Sequence, residues 1–250
     1  MIILKLGGSA ITEKCGYMKA NIPAIRRLAL AVSRAKKAGL EGLIIVHGAG
    51  SFGHAPVLKY GLNDGVFTPS QKKGCLITQQ SCARLSSLVV ASLNKAGVRA
   101  VSLSPYMFIK SKNKRIEKFN QSAIKKALAS NIVPVLYGDM VPDSKLGFSV
   151  CSGDQIVAYL GKRAERIILA SNVDGVLADG KVVPKITKAN FAKISCHLCG
   201  SSSPDVTGGM AGKIREIMKT SAPSYIVNAK KPARVLALLL GKKAISTRIN

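Results

Sequence analysis

Met1-Ile2-Ile3-Leu4-Lys5-Leu6-Gly7-Gly8-Ser9 decides the fold. Six residues of apolar, β-rich chain end abruptly in two glycines and a serine, the signature of a buried strand that turns at once. A lysine inside such a run is unusual unless its ammonium meets an anion. The same punctuation recurs downstream. A second buried strand over residues 42–46 runs straight into His47-Gly48-Ala49-Gly50-Ser51-Phe52-Gly53-His54, a glycine-rich loop closed by His54. A third strand, residues 132–137, ends at Gly138-Asp139, and a fourth, residues 166–170, ends at Ser171-Asn172-Val173-Asp174-Gly175-Val176. Glycine lets backbone N–H groups approach phosphate oxygens, and ligands of open α/β sheets collect at the carboxyl ends of strands.

Between these strands lie helical stretches. Residues 23–38 stop at Gly39, and residues 70–96 stop at Gly97. Residues 120–130 take Asn120 as N-cap, and residues 155–162 follow Ser152-Gly153-Asp154. Residues 98–103 read as a strand, 106–118 as a hairpin or exposed loop, and 147–150 as a short strand. The last third holds a mixed segment at 185–196, a turn-rich linker at 200–204 and a helix from Gly208-Gly209-Met210 to about 219. A strand at 224–227, a helix at 232–240 and a terminal strand at 244–249 follow. Alternating strands and helices with short connections predict a three-layer α/β/α sandwich on a mostly parallel sheet. The 250 residues fit one domain, with an N-terminal lobe to about residue 155 and a C-terminal lobe from about 156.

Composition narrows the class. Apolar residues make up 47% of the chain, which is a folded composition. No apolar run is long enough to span a bilayer. The opening segment has neither a basic stretch nor a small-residue cleavage site, which predicts a cytoplasmic protein with reduced thiols. Cys196 and Cys199 flank His197, but a structural zinc site needs a second such pair, so no metal is assigned to protein side chains. With 38 Lys and Arg against 12 Asp and Glu, the net charge is +26. Basic clusters recur at residues 34–37, 110–118, 162–166, 230–234 and 242–243, without aromatic interleaving. They predict a solvated basic surface and anionic small-molecule ligands rather than a nucleic-acid reader, which stands as the non-enzymatic alternative.

Neither a Walker A loop nor a protein-kinase glycine loop is present. Residues 48, 50 and 53 do spell Gly-x-Gly-x-x-Gly, but no acidic residue follows at the distance a dinucleotide needs. Phosphoryl transfer needs cations aimed at oxygens that gain charge. Lys5, Lys213 (four residues after Gly209) and Lys14 are candidates, although Lys14 in so basic a chain reads equally as a surface lysine. Asp154 and Asp174 read either as a helix cap and a turn residue or as groups that orient lysines and contact nucleotide. His54 is placed to bind or protonate an anion.

Lys5-Leu6-Gly7-Gly8-Ser9, Ser152-Gly153-Asp154, Asn172-Val173-Asp174-Gly175-Val176 and Asp205-Val206-Thr207-Gly208-Gly209-Met210 with Lys213 resemble, in order, the signatures of the amino-acid kinase superfamily. Gly48-Ala49-Gly50-Ser51-Phe52-Gly53-His54 resembles the corresponding segment of the isopentenyl phosphate kinases within it. That resemblance implies ATP- and Mg²⁺-dependent phosphorylation of isopentenyl phosphate to the diphosphate, in an archaeal-type mevalonate route, by a cytoplasmic homodimer. It implies that Lys5, Leu6, Gly7, Gly8, Ser9, Gly50, Asp174, Gly209 and Lys213 hold nucleotide. Ala49, Gly53, His54 and Gly153 would hold the acceptor phosphate, and Lys14 would stabilise the transition state. Catalysis would rest on Lys5, Lys14, Lys213, His54 and Asp154. A relative acting on another phosphate or phosphonate, such as uridylate, is the enzymatic alternative. For the prenyl tail, the 70–96 helix offers Leu76, Ile77, Cys82, Ala83 and residues 85–90, which are equally readable as core.

Overall fold

A computed structural model describes residues 1–13, 17–178, 180–196 and 209–249. In chain order its elements are β1 (Ile2–Leu6), α1 (Gly8–Ile11), α2 (Ile22–Lys37), β2 (Leu43–His47), α3 (Ser51–Lys59), α4 (Pro69–Lys95) and β3 (Ala100–Ser102). Then come β4 (Ile109–Lys112), β5 (Arg115–Phe119), α5 (Ser122–Ala129), β6 (Val133–Tyr137), β7 (Asp139–Asp143), β8 (Gly147–Cys151), α6 (Gly153–Gly161) and β9 (Arg166–Ser171). The chain finishes with β10 (Leu177–Ala178), β11 (Lys181–Val182), β12 (Lys185–Ile186), α7 (Lys188–Cys196), α8 (Gly209–Ile217), β13 (Ser224–Asn228), α9 (Pro232–Leu239) and β14 (Thr247–Ile249).

Among the described residues the main sheet has eight strands in the order β12-β14-β13-β9-β1-β2-β6-β3. Every pairing in it is parallel except β13 with β14. A smaller sheet, β5-β4-β7-β8, joins the 106–118 hairpin to the β7–β8 hairpin. From β1 the chain steps to β2 on one side, while β9 on its other side leads on to β13. The connections diverge between β1 and β9, which opens a crevice at the carboxyl ends of those two strands.

Period-two alternation decides which side of the sheet each β1 residue serves. Ile2, Leu4 and Leu6 face one core with Leu28 and Val32 of α2, Leu85 and Val89 of α4, and Val235 of α9. Ile3 faces the other, with Ile156, Val157 and Leu160 of α6 and Ile214 and Ile217 of α8. Fully burying each such side chain contributes about 1.5–3 kcal/mol. Helices therefore cover both faces, and the expected three-layer sandwich is what forms. Lys5 lies two residues from Ile3, so the pleat directs it toward α6.

Local chemistry sets the helix limits. Asn21 accepts a hydrogen bond from the Ala24 amide at 3.0 Å, with Pro23 pre-set in the first turn. Thr68 and Gln71 form a capping box for α4, with Pro69 beginning the helix. Three local expectations are corrected. The loop ending at His54 is helical from Ser51, so His54 lies in the first turn of α3. Helix α5 is capped by Gln121 rather than Asn120; Asn120 sits one residue further out and accepts from the Ser122 amide at 3.0 Å. Residues 139–143, left unassigned by pattern, form strand β7 despite Pro142. The mixed 185–196 segment resolves into β12 and α7. The 200–204 linker, Cys199 and His197 lie outside the described residues.

Candidate active site

The glycine loops after β1 and β2 lie backbone against backbone. A Cβ on Gly8 would sit 2.5 Å from the Gly50 nitrogen, and one on Gly48 would sit 2.6 Å from the Gly8 nitrogen. Neither backbone has room for a side chain, so these glycines are required by close approach. Gly50 also adopts φ +52°. Thr12 ties the two loops: its Oγ1 donates to the Gly8 carbonyl at 2.9 Å and accepts from the Ser51 amide at 3.2 Å. Gly7 donates to the Ala170 carbonyl at 2.8 Å, and Asn172 Nδ2 donates to the Ser9 carbonyl at 2.7 Å. The first loop is thereby joined to the end of β9 as well.

Gly153, at the start of α6, closes against the same group. Its Cβ position would lie 3.2 Å from the His47 carbonyl and 3.4 Å from Lys5 Cε. Gly138 lies against it in turn, with its Cβ position 3.2 Å from the Gly153 nitrogen and 3.7 Å from the Ala49 nitrogen. Gly53 packs on Ala49 and on Cys82 Sγ of α4. The segments carrying Gly8, Ala49, Gly50, Gly53, His54 and Gly153 therefore form one continuous wall, supplied by α1, the stretch from β2 into α3, and α6.

Cations converge on this wall. Lys5 is buried, and its Nζ lies 2.5 Å from Asp154 Oδ2. Lys213 Nζ, from α8, lies 4.0 Å from the same oxygen. Burial is the largest influence on Lys5 and brings its pKa down to about 8, against the opposing pull of Asp154 and with Lys213 adding to the fall. Burial pushes the Asp154 carboxyl up, but the charges of Lys5 and Lys213 override it and hold the group below its usual range. The other carboxylate oxygen, Asp154 Oδ1, is buried without a hydrogen-bond partner. A buried, acceptor-only oxygen of this kind is costly unless something donates to it or coordinates it.

Asp174 stands elsewhere in the crevice. Its Oδ1 accepts from Asn228 Nδ2 at 2.8 Å and from Arg234 Nη1 at 2.7 Å, and those two partners hold its carboxyl below the usual range. Arg234 belongs to a cluster that reads as surface charge from sequence, yet it is committed to this carboxylate. Gly209 opens α8 at φ +62°, four residues before Lys213. Leu6 is a buried core residue at the end of β1, and Ser9 lies on the exposed side of α1. Lys14 and Gly208 lie outside the described residues. On α4, Leu85 and Val89 are main-core residues, and Leu76 is 60% exposed.

Sequence reasoning passed over three polar groups near this wall. Thr12 carries a signal in retrospect, since its position four residues after Gly8 suits a helical back-bond to that carbonyl. His47 is fully buried, stacked on Tyr137 at 5.3 Å, with Nδ1 3.0 Å from the Gly48 carbonyl and Nε2 unpartnered. Burial lowers its pKa to about 4, so the ring is neutral near pH 7. Asp139, one residue beyond Gly138, is buried and accepts only the neighbouring Met140 amide at Oδ1; desolvation raises its pKa to about 8. In sequence both read as ordinary strand-end residues. Among the described residues, no three His, Cys, Asp or Glu side chains gather to hold a metal ion, and no helix is long and apolar enough to cross a membrane.

The profile of the amino acid kinase family matches residues 1–228. The isopentenyl phosphate kinase of Methanocaldococcus jannaschii is 38% identical over 252 residues, spanning 97% of this chain and 96% of the relative. That of Methanothermobacter thermautotrophicus is also 38% identical, spanning 100% of this chain and 98% of the relative. A crystallographic isopentenyl phosphate kinase structure superposes with a TM-score of 0.85 at 35% identity, covering 100% of both chains. With the glycine wall and its lysine pair at the carboxyl edge of the sheet, these matches place the chain in the amino acid kinase family and, within it, among the isopentenyl phosphate kinases.

Proposed function

We propose that this chain moves the terminal phosphoryl group of ATP onto isopentenyl phosphate, giving isopentenyl diphosphate and ADP. The observation that carries the reading is the sharing of one buried carboxylate oxygen by Lys5 and Lys213 beside the glycine wall. An acceptor phosphate with its second pKa near 6 is already a dianionic nucleophile at neutral pH, so no strong base is needed. One of its oxygens forms the new bond to the γ-phosphorus as the bond to the β–γ bridging oxygen breaks, and ADP leaves with that electron pair.

In this reading Asp154 positions the two ammonium groups, and Lys5 and Lys213 neutralise charge on the transferring group and the leaving oxygen. Backbone amides of the loops at Gly7–Ser9 and around Gly50 and Gly209 cradle the nucleotide phosphates, with Asp174 toward the nucleoside. Ala49, Gly53, His54 and Gly153 hold the acceptor phosphate, His54 by a hydrogen bond, and Lys14 assists the transition state. Mg²⁺, when bound with the nucleotide, would supply positive charge that offsets the charge on the phosphate oxygens. The unpartnered Asp154 Oδ1 fits a hydrated cation near those oxygens. Residues to about 155 then serve the acceptor and the remainder the nucleotide, within one domain of a cytoplasmic homodimer that feeds isoprenoid synthesis; family resemblance supports these last points.

The test is a transfer assay with labelled ATP and Mg²⁺, offering isopentenyl phosphate, uridylate and a small phosphonate in parallel. Isopentenyl phosphate is expected to be turned over with the highest kcat/KM. Turnover of uridylate or the phosphonate without isopentenyl phosphate would overturn the assignment. His54→Ala is expected to raise KM for the acceptor while leaving the melting temperature unchanged.

A further inference from the structure

Basic residues 242 and 243 remain unexplained by the catalytic reading. They sit in the turn between α9 and β14, at the opposite edge of the main sheet from the lysine pair. Arg166 begins β9 and Ser171 ends it, so five residue steps of ~3.3 Å put roughly 16 Å between the two edges. A cavity of about 300 Å³ opens there, lined by Arg166, Tyr225, Leu238, Lys242, Lys243 and Arg248 among others. That is a small-molecule size.

Among the described residues, the lining holds four cations and no acid. Glu165 lies beside the cavity and reaches Arg166 Nη2 at 3.4 Å. Arg166 is fixed from the other side as well, because its Nη1 donates to the Leu238 carbonyl at 2.7 Å. Tyr225 and Arg248 are cross-strand partners on β13 and β14, so an aromatic floor and a guanidinium are held in one register. Lys242 and Lys243 are exposed in the turn above. The like charges of Lys242 and Lys243 at one concavity repel each other, and a bound anion offsets that cost. Leu238 and Tyr225 supply an apolar wall, and Ile245, 56% exposed, stands in the same turn.

We propose that this cavity is a second anion site, taking a small phosphate- or diphosphate-bearing molecule with a short apolar group. It shares no residue with the catalytic wall, so it stands whether or not the acceptor assignment does. The probes are inorganic diphosphate and isopentenyl diphosphate, each measured by equilibrium dialysis against the full chain at physiological salt. The comparison is between the parent and the Lys242→Glu/Lys243→Glu double variant. The variant is expected to bind at least one equivalent fewer, or that equivalent about tenfold more weakly, while its kinase turnover in dilute probe stays at the parent value. Tighter binding of isopentenyl diphosphate than of inorganic diphosphate supports the apolar wall as part of the site; the reverse order overturns that part. Identical binding by parent and variant, or binding that follows ionic strength alone, overturns the site altogether. Unchanged turnover shows that the variant is folded, and wild-type melting behaviour serves the same purpose if no acceptor is turned over.

Discussion

Asp154, in the first turn of α6, and Asp174, just beyond the end of β9, each face cations, yet they are different instruments. Asp154 is buried and meets Lys5 and Lys213 through one oxygen, leaving the other without a partner. Asp174 has a side chain 43% exposed and gives one oxygen to Arg234 and Asn228. Water screens the second arrangement and is excluded from the first. Coulomb energies at the same separation therefore differ several-fold between them. A buried ion pair adds little net stability, but removing one member is severe because the survivor is left charged and desolvated. In the proposed reaction the buried carboxylate would hold cations in place for chemistry, and the exposed one would contact nucleotide from a solvated surface.

Substitution of Asp154 by Asn should break the comparison most visibly. Lys5 would keep its burial and lose its counter-charge, which predicts a loss of about 3–5 kcal/mol in urea melts. Single-turnover phosphoryl transfer should fall by about 10²–10³-fold. A variant with parental stability and rate would show that the pair is incidental.

Gly8→Ala tests the wall beside that pair. The added Cβ would press on the Gly50 backbone, which cannot move without displacing Thr12. A cost of about 1–3 kcal/mol is expected, with a rise in KM for ATP. Unchanged melting and KM would mean that the two loops separate freely.

The pH profile sharpens the electrostatic side. Lys5 has a folded pKa near 8, lowered mainly by burial, so its ammonium is present below that value and lost above it. kcat/KM should therefore decline above about pH 8, by up to about tenfold per pH unit. At saturating ATP the inflection should move upward, because bound phosphates favour the charged form. An inflection in kcat/KM that stays in place in a Lys5→Arg variant would assign the titration to another group.

The smallest effect belongs to Asp174→Asn. Its carboxylate is screened, so melting should not change measurably, while KM for ATP rises modestly at constant kcat. A collapse in kcat would place Asp174 with Asp154 and erase the distinction between them.

Much of this was legible in sequence for identifiable reasons. The strands at residues 2–6, 43–47, 133–137 and 166–171 are continuous apolar runs punctuated by glycine, and parallel strands buried on both faces must look like that. Helix α3 was hidden because Gly50, Gly53 and Pro56 suppress helical propensity, while packing of Phe52 and Val57 in the core overrides it. Strand β7 was hidden because acidic ends and Pro142 are poor strand formers, and pairing with β8 decides the matter.

Residue order along the chain dictates the alternation of strands and helices, the glycine punctuation and the presence of a lysine in a strand too apolar to tolerate an unpaired charge. It also named Asp154 and Lys213 as candidates. Packing in three dimensions is what brings Lys5 and Lys213 to one oxygen of Asp154, lets Thr12 lock two loops together, pairs Arg234 with Asp174, and sets residues 242 and 243 at a cavity. The reason is physical. Strand and turn propensities act over a few residues along the chain, whereas electrostatic convergence depends on which strand ends and helix starts become neighbours, and sheet order together with helix packing sets that.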